Sequence, residues 1–386
     1  MKITAHKPIV MPLNGIRRAL RVCFMANKVG AMWGLRGFGK STLVRDSVPE
    51  GWGFYDYRLS DKEASDLGGI PFPIEREVMV WRETAGNPAK LTQVKETRRV
   101  VEYLMTTQLP FDTDERCVIN FDEADRTSDL SVQNVMLQLT LDRQINGHRL
   151  SKNARIVLCG NGATDVGTTS LSDALAGRAC HFYVDTDSEA ALNSWLDWAA
   201  DNTVSGGLQS FAKHNHDVWT SAKGAGDLEE YGSPTPRTFV CADELYSVCK
   251  AAQEAHNDSN GKKGFITEDL ILPIIAGCVG QSSALKLIAW YRICEAVPTI
   301  DEICNSPLKC KLPEASDPKD TLGIYFCLGM TLARYVKSAG NGKIDALAAY
   351  VTRWPREQAR FTFTHMIRNQ PVIATSPAFM KWDKSV

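Results

Sequence analysis

Residues 33–42 read WGLRGFGKST, in which three glycines, a lysine and two hydroxyl-bearing side chains stand close together. The stretch fits the pattern G-x-x-x-x-G-K-[ST], with Gly34, Gly39, Lys40 and Ser41 in its fixed positions. That spacing lets consecutive backbone N–H groups curl around a polyphosphate. The pattern therefore predicts that Lys40 neutralises the outer phosphates and that Ser41 holds Mg²⁺.

The sequence on either side supplies the structural context that this pattern needs. Residues 29–34 form a short apolar run that ends in glycine, as a buried strand would, and residues 40–48 contain no helix breaker before Pro49. A helix that begins directly after the loop places its partial positive charge under the phosphates. The alternative is a glycine-rich surface turn, but the order strand, loop, helix favours a phosphate loop.

The composition is that of a soluble globular protein with more than one domain. Of its 386 residues, 44% are hydrophobic and 23% are charged. The 44 Lys and Arg residues against 45 Asp and Glu residues give a net charge of -1, which makes nucleic acid an unlikely partner but leaves a local basic groove open. The sequence contains neither a signal-peptide pattern nor an apolar run of membrane-spanning length, so we expect a cytoplasmic protein with no membrane segment.

The cysteines and histidines do not form the patterns of a metal or redox site. Eleven cysteines are scattered along the chain without a C-x-x-C pair, and the seven histidines have no ligand-like spacing. In a cytoplasmic chain, such cysteines are expected to be reduced thiols in the core.

Five strand candidates occur in the first half of the chain, separated by segments long enough for helices. They are residues 30–34, 53–59, 116–121, 155–160 and 180–185. This alternation predicts an α/β fold with a parallel five-stranded sheet and flanking helices.

The second half of the chain has a different pattern. From about residue 188 the strand signals fade and helical periodicity replaces them. We predict an α/β core over residues 1–187, a helical lid domain over 188–300 and a helical C-terminal extension over 301–386.

Residues 117–126 read CVINFDEADR, an apolar stretch that ends in carboxylates. A strand that delivers Asp122 to the sheet edge beside the phosphate loop can complete the Mg²⁺ shell. Glu123 can then orient or deprotonate an attacking water. Asn120 interrupts the apolar run, and the alternative is that the two carboxylates only cap a helix.

Three further features lie between this strand and the helical half. Asn146-Gly147 sits between short extended arms, which is the strongest short hairpin signal. The strand candidate that follows ends at Asn161, whose side chain could contact the γ-phosphate or the attacking water, or could simply form a turn. Arg178 precedes the last strand candidate, where a solvated arginine is the alternative.

Taken in order, these parts resemble an AAA+ ATPase of the MoxR-like group. The helical region that follows contains SPTPRTF at 233–239, which also resembles that family. The Asn146-Gly147 hairpin is similar to its pre-sensor-1 hairpin, and residues 58–81 resemble its β-hairpin insertion in the second helix. The resemblance extends over about residues 8–255 and implies the AAA+ form of the P-loop NTPase fold.

The resemblance implies a role for each matching position. Residues 34–42 would be the Walker A motif, with Gly37 and Thr42 as further nucleotide contacts. Asp122 and Glu123 would be the Walker B motif, and Asp122 and Ser41 would hold the metal. Asn161 would be sensor 1, Arg178 the arginine finger and Arg237 sensor 2. An alanine follows Arg178, whereas the loop of the family reads closer to LxxRF.

The resemblance also implies an activity and partners. We expect ATP hydrolysis, with ATP and Mg²⁺, coupled to remodelling of a protein client by a homo-oligomeric ring of six subunits. Arg178 would then reach the nucleotide of a neighbouring subunit. Relatives work with a partner that contains a von Willebrand factor A domain. This chain has no D-x-S-x-S motif, so such a partner would be a separate protein.

Other protein classes share parts of this pattern. The DEAD sequence at 122–125 also occurs in RNA helicases, but His148-Arg149 is not followed by the rest of an H-R-x-G-R motif. A small-molecule P-loop kinase does not require the hairpin, Asn161 and an arginine of the helical region in this order. A module that binds without hydrolysis is not supported, because Lys40, Asp122 and Glu123 are all present. An AAA+ ring motor that acts on nucleic acid is the main alternative.

Overall fold

The computed structural model describes residues 8–84, 87–127, 129–162, 171–202, 204–220, 232–258, 266–295, 297–315 and 317–384. The chain forms two compact units. The first unit consists of the residues up to Leu35 together with Gly39–Asp185. The second unit consists of Arg36–Phe38 and the residues from Thr186 onward.

The first unit alternates strands and helices. In chain order its elements are β1 (Val10–Met11), α1 (Leu13–Met25), β2 (Val29–Trp33), α2 (Lys40–Ser47), β3 (Gly53–Arg58), α3 (Ala64–Gly68), β4 (Ile70–Thr84), β5 (Asn87–Leu104), β6 (Cys117–Asp122), α4 (Leu130–Leu141), β7 (Gln144–Ile145), β8 (His148–Arg149), β9 (Ala154–Gly160), α5 (Asp173–Ala176) and β10 (Ala179–Val184).

Six strands form one sheet in the order β1-β10-β2-β9-β6-β3, and every pair in it is parallel. The predicted α/β fold and its five strands are confirmed, with ends that differ by one residue. The sixth strand, β1, pairs with β10 at the edge of the sheet. It has only two residues, which is too short to show a hydrophobic period in the sequence.

Both faces of the sheet are covered, as parallel sheets require. Successive side chains of a strand point to opposite faces, so Ile119 and Phe121 of β6 join one hydrophobic cluster while Val118 joins another. Helix α4 covers the first face, and helices α1 and α2 cover the second. Because helices cover both faces, the loops with polar residues emerge at the edge of the sheet where the strands end.

The long hairpin β4–β5 differs in position from the predicted insertion at 58–81. That stretch holds the short helix α3 and only part of the first arm, because the first arm continues to Thr84 and the second runs to Leu104. The register places Glu75 and Met79 on one face and the opposed pair Val78 and Glu96 on the other. Apolar and charged residues therefore occur on both faces, so the arms lack the alternation by which a half-buried strand is recognised.

A second hairpin, β7–β8, is placed as the sequence predicted. Asn146 and Gly147 both have positive φ, 49° and 89°. These values suit the type I′ turn, whose twist matches that of the strands it joins. The Asn146 side chain also donates to the carbonyl of Gly68 at 2.7 Å, which attaches the hairpin to α3.

In the described part of the second unit the regular elements are helices. They are α6 (Glu189–Asp201), α7 (Gly206–His214), α8 (His216–Thr220), α9 (Pro236–Asp258), α10 (Glu268–Val279), α11 (Gln281–Glu295), α12 (Ile300–Asn305), α13 (Pro318–Tyr335), α14 (Asn341–Val351), α15 (Arg356–Asn369), a 3-10 turn (Pro371–Thr375) and α16 (Pro377–Asp383). Within the described ranges, no helix combines the length and apolar character that crossing a membrane requires.

Two hydrophobic clusters fill the second unit. The first is built mainly from α6 to α11 around Phe211 and Phe239, and the second from α12 to α15 around Tyr350 and Phe363. The helical character expected from residue 188 onward is confirmed. The division of these helices into a lid and an extension at residue 300 stays a prediction.

Removal of the β4–β5 hairpin tests whether the sheet needs it. None of the residues in the four hydrophobic clusters, as far as the chain is described, lies between Ile70 and Leu104. These two residues face each other across the hairpin, so an Asn-Gly turn can join them in place of residues 71–103. We expect the melting temperature to change by less than about 5 °C.

The control for this deletion is Phe121→Ala, which empties a buried position in β6. It should lower the free energy of unfolding by about 3–5 kcal/mol. Both proteins are compared by thermal and urea unfolding. A deletion variant that is as unstable as Phe121→Ala would show that the hairpin is part of the folded core.

Candidate active site

The phosphate loop runs from the end of β2 to the start of α2. Gly37 and Gly39 have φ of 80° and 77°, a conformation that only glycine adopts without strain. Gly34 faces β10 so closely that an added Cβ would lie 2.7 Å from Cβ of Val184. Each glycine of the pattern thus meets a backbone or packing requirement of this loop.

Lys40, the first residue of α2, is only 8% exposed. Its ammonium donates to the carbonyls of Gly34 at 2.7 Å and Leu35 at 3.0 Å, and to Oδ1 of Asn161 at 2.9 Å. The positive charge therefore lies within the curl of the loop, beside the N-terminus of a helix. Both features favour an anion at this place.

Ser41 and Asp122 meet at the carboxyl edge of the sheet. The Ser41 hydroxyl donates to Oδ2 of Asp122 at 2.5 Å, across 81 positions of sequence. A hydroxyl and a carboxylate are hard oxygen ligands, and Mg²⁺ is usually bound by one or two such groups together with substrate phosphates. The residues present therefore fit a Mg²⁺–nucleotide complex.

Glu123 follows Asp122 in an unusual backbone conformation. Its φ is 55°, in the left-handed region that costs a residue with a side chain of order 1–3 kcal/mol. Its N–H donates to Oδ1 of Asp122 at 2.8 Å, and its carboxylate lies 3.9 Å from the guanidinium of Arg58 at the end of β3. The carboxylate therefore lies beside the end of β3, directly after the strand that carries Asp122.

Asn161 directly follows β9, which lies between β2 and β6 in the sheet. The strand order therefore places Asn161 between Lys40, to which it is hydrogen-bonded, and the pair Asp122 and Glu123. The structure brings together five of the residues that the sequence indicated. They are Lys40, Ser41, Asp122, Glu123 and Asn161.

Arg178 is not part of this group. It lies exposed in the turn before β10, where its guanidinium donates a hydrogen bond to the carbonyl of Ala174. The following residue, Ala179, pairs with Val29 at the start of β2, whereas the phosphate loop leaves the other end of that strand. At about 3.3 Å per residue, this separates Arg178 from the loop by on the order of 17 Å. Arg237 is the second residue of α9, in the second unit.

Two residues near the site were missed by the sequence analysis. Arg58 faces Glu123 because β3 pairs with β6, and this register has no signal in the sequence. Asp125 is buried, and its carboxylate accepts the backbone N–H groups of Asn161 and Gly162. A signal for Asp125 was present, since it is a further carboxylate in the turn after the Asp-Glu pair.

Cys159 lies in β9, next to the site. Burial, followed by the negative charge of Asp122, holds the pKa of this thiol well above its usual range. The thiolate is the nucleophilic form of cysteine. Cys159 therefore stays protonated and contributes packing to the site, not covalent chemistry.

Comparisons with known proteins give little at the level of sequence. No protein-family model matches the chain, and no curated protein is similar to it. Among solved structures, a candidate ATPase from Cytophaga hutchinsonii is 15% identical, with a TM-score of 0.31 over 73% of this chain and 90% of that one. NtrX from Brucella abortus is 13% identical, with a TM-score of 0.31 over 74% of this chain and 69% of that one. Likeness at this level does not decide the activity of the chain.

Replacement of Lys40 tests the phosphate loop. Lys40→Ala removes the ammonium that the loop encloses, and a hydrogen bond from a charged donor contributes about 1.5–3 kcal/mol. We expect binding of Mg·ATP, measured by calorimetry, to weaken by about 10- to 100-fold or more. The melting temperature without nucleotide should stay close to that of the wild type.

The matched control is Arg45→Ala, which removes the same charge from the exposed side of the same helix. Its affinity for Mg·ATP should equal that of the wild type. Equal affinities of the Lys40 and Arg45 variants would contradict the assignment of this loop to phosphate binding.

Proposed function

We propose that this chain is an AAA+ ATPase that hydrolyses ATP with Mg²⁺. The observation that carries the proposal is the meeting of Lys40, Ser41, Asp122, Glu123 and Asn161 at the carboxyl edge of one parallel sheet. A phosphate loop, a metal-binding oxygen pair and a carboxylate that can act as a base are the parts that nucleotide hydrolysis requires.

Each of these residues has a defined task in the proposed reaction. Lys40 and the N–H groups of the loop bind the phosphates. Ser41 and Asp122 would hold Mg²⁺, which when bound would neutralise negative charge on the phosphates. Glu123 accepts a proton from the attacking water while the oxygen of that water forms a bond to the γ-phosphorus. The bond from that phosphorus to the β–γ bridging oxygen breaks, and ADP leaves. Asn161 orients the water or a γ-phosphate oxygen.

Within the AAA+ ATPases, we propose that the chain belongs to the MoxR-like group. Its support is the order of motifs in the sequence together with the two hairpins. Hairpin β7–β8 comes directly before the strand that ends at Asn161, and hairpin β4–β5 follows the short helix α3. A small-molecule kinase would need neither hairpin.

The position of Arg178 supports a ring of identical subunits, which we propose to be a hexamer. The arginine lies at the opposite edge of the sheet from the phosphate loop of its own chain. An arginine finger acts on charge that develops in the transition state, so it must reach a nucleotide. In a ring, that nucleotide belongs to the neighbouring subunit. Arg237 is proposed as sensor 2, which reports the nucleotide state to the helical unit.

The proposed client is a protein. The β4–β5 hairpin exposes large apolar side chains, among them Phe72, Met79 and Trp81, which are 52%, 54% and 64% exposed. Exposed apolar groups of this size are typical of surfaces that contact other proteins. We further propose a cytoplasmic location and a separate partner with a von Willebrand factor A domain. The net charge of -1 gives no support to a motor on nucleic acid.

Glu123→Gln separates ATP binding from hydrolysis. The substitution keeps the shape of the side chain and leaves the Mg²⁺ ligands in place, but it removes the base, so ATP should bind and stay intact. We expect kcat to fall by about 10²- to 10⁴-fold, with an assembled species that size-exclusion chromatography detects in ATP but not in ADP. A variant that stays monomeric in ATP at micromolar concentration would contradict the ring.

A mixing experiment tests whether each active site is built from two subunits. Arg178→Ala and Glu123→Gln should each bind ATP but hydrolyse it slowly. When the two proteins exchange subunits, about a quarter of the interfaces combine an intact Glu123 with an intact Arg178, so activity should return well above that of either parent.

The control for mixing is a blend of Glu123→Gln with Lys40→Ala/Arg178→Ala, in which no complete site can form. Exchange is followed by energy transfer between labelled subunits. If exchange occurs and activity does not return, Arg178 is not a finger that acts between subunits.

A further inference from the structure

The turn after β6 contains a second carboxylate, Asp125, that the proposed reaction does not use. Asp125 is 4% exposed, and its Oδ2 accepts the backbone N–H groups of Asn161 and Gly162, each at 2.7 Å. Beside it, the N–H of Ala124 donates to the carbonyl of Cys159 at 2.8 Å. The turn is therefore attached to the end of β9 through both a side chain and the backbone.

The two N–H groups converge on one oxygen because of the local backbone. Gly162 has φ of 85°, and successive N–H groups at such a residue form a small concavity that binds an anion. Here the anion is supplied by the chain itself. Hydrogen bonds to an ionised carboxylate are roughly twice as strong as neutral ones. Asp125 thus determines the backbone conformation at Asn161.

Close packing keeps the carboxylate in this place. Gly160 is the last residue of β9, and a Cβ added there would lie 2.4 Å from Cζ3 of Trp33 and 2.7 Å from Cγ of Asp125. Asp125 therefore lies directly against the backbone of β9, beside the tryptophan that ends β2. A side chain enclosed in this way has little freedom to adopt another rotamer.

We propose that Asp125 is a positioning residue that directs the Asn161 side chain toward the γ-phosphate and the attacking water. The proposal rests on the proposed ATPase function. It follows from a continuous series of contacts, in which Asp125 holds the backbone of Asn161 and Oδ1 of Asn161 accepts from the Lys40 ammonium at 2.9 Å. In this proposal Asp125 acts through Asn161 and is not one of the residues that would hold the phosphates or Mg²⁺.

A residue that acts through Asn161 should affect catalysis more than binding. The loop and Lys40 bind the phosphates in the ground state, whereas the orientation of the water matters in the transition state. Asp125→Ala removes the acceptor, and the resulting misplacement should lower kcat by about 10²-fold while KM for Mg·ATP stays within about threefold. Asp125→Asn retains an oxygen acceptor and should keep much more of the kcat.

A double-mutant cycle separates this role from an independent one. We would measure kcat and KM for Asp125→Ala, Asn161→Ala and the double variant. If Asp125 acts through Asn161, the double variant should be no slower than Asn161→Ala alone. The control is Asp129→Ala, four residues further along the chain, which removes the same charge and the acceptor of the Ser131 backbone N–H. It should leave kcat unchanged.

Amide exchange gives a readout that does not depend on hydrolysis. The N–H groups of Asn161 and Gly162 should exchange slowly in the wild type and at least tenfold faster in Asp125→Ala, as NMR can measure. If these two amides exchange slowly in the wild type but the wild type neither binds nor hydrolyses Mg·ATP, the contact made by Asp125 is supported and the proposed ATPase function is contradicted. An active wild type whose Asp125→Ala variant keeps normal kcat would overturn the positioning role.

Further outcomes also decide the question. Losses of kcat that multiply in the double variant would overturn the inference, because the two residues would then act separately. If Asp125→Ala does not fold, the same cycle is run with Asp125→Leu, whose side chain has a similar shape but offers no hydrogen-bond acceptor. A fall in kcat that disappears in the Asn161→Ala background supports the inference, and an unchanged kcat or a fall that persists there overturns it.

Discussion

The hydrogen bond between Ser41 and Asp122 is the contact around which the first unit is organised. It joins the first turn of α2 to the last residue of β6. In the sheet, β9 lies between β6 and β2, the strand that precedes α2. Its length of 2.5 Å requires the ends of β2 and β6 to lie level with each other. The register of β9 between them then decides where Asn161 can lie. A slip of one residue in any of these strands would turn the polar groups to the other face.

This arrangement depends on the covering of the sheet on both faces. Parallel strands bring their carboxyl ends to one edge, and the buried clusters on the two faces leave that edge as the place where loops with polar groups emerge. This topology brings Ser41 and Asp122, which are 81 positions apart in the sequence, within hydrogen-bond distance of each other. The packing of apolar residues such as Phe121 and Val118 is what aligns the two carboxyl-terminal ends.

The sequence predicted those parts of the site that are coded locally. The phosphate loop, the Asp-Glu pair and Asn161 each end a short apolar strand, and parallel topology brings such ends together. Asn120 appeared as an irregularity in its strand, and the structure explains it, because its amide donates at 2.8 Å to Asp56, directly opposite on β3. The contacts of Arg58 and Asp125 and the extent of the second hairpin arm could not be predicted from local sequence. Their contacts depend on strand register and on side-chain packing between segments far apart in sequence.

The left-handed backbone at Glu123 has an evolutionary consequence. A glycine at this position would adopt the observed φ of 55° without strain, so losing the carboxylate could make the folded protein more stable by about 1 kcal/mol. Selection for stability alone would therefore remove this side chain. If Glu123 is the base of the proposed hydrolysis, its carboxylate is placed at the expense of this strain, and relatives that keep the fold but lose the activity would be expected to change first at this position.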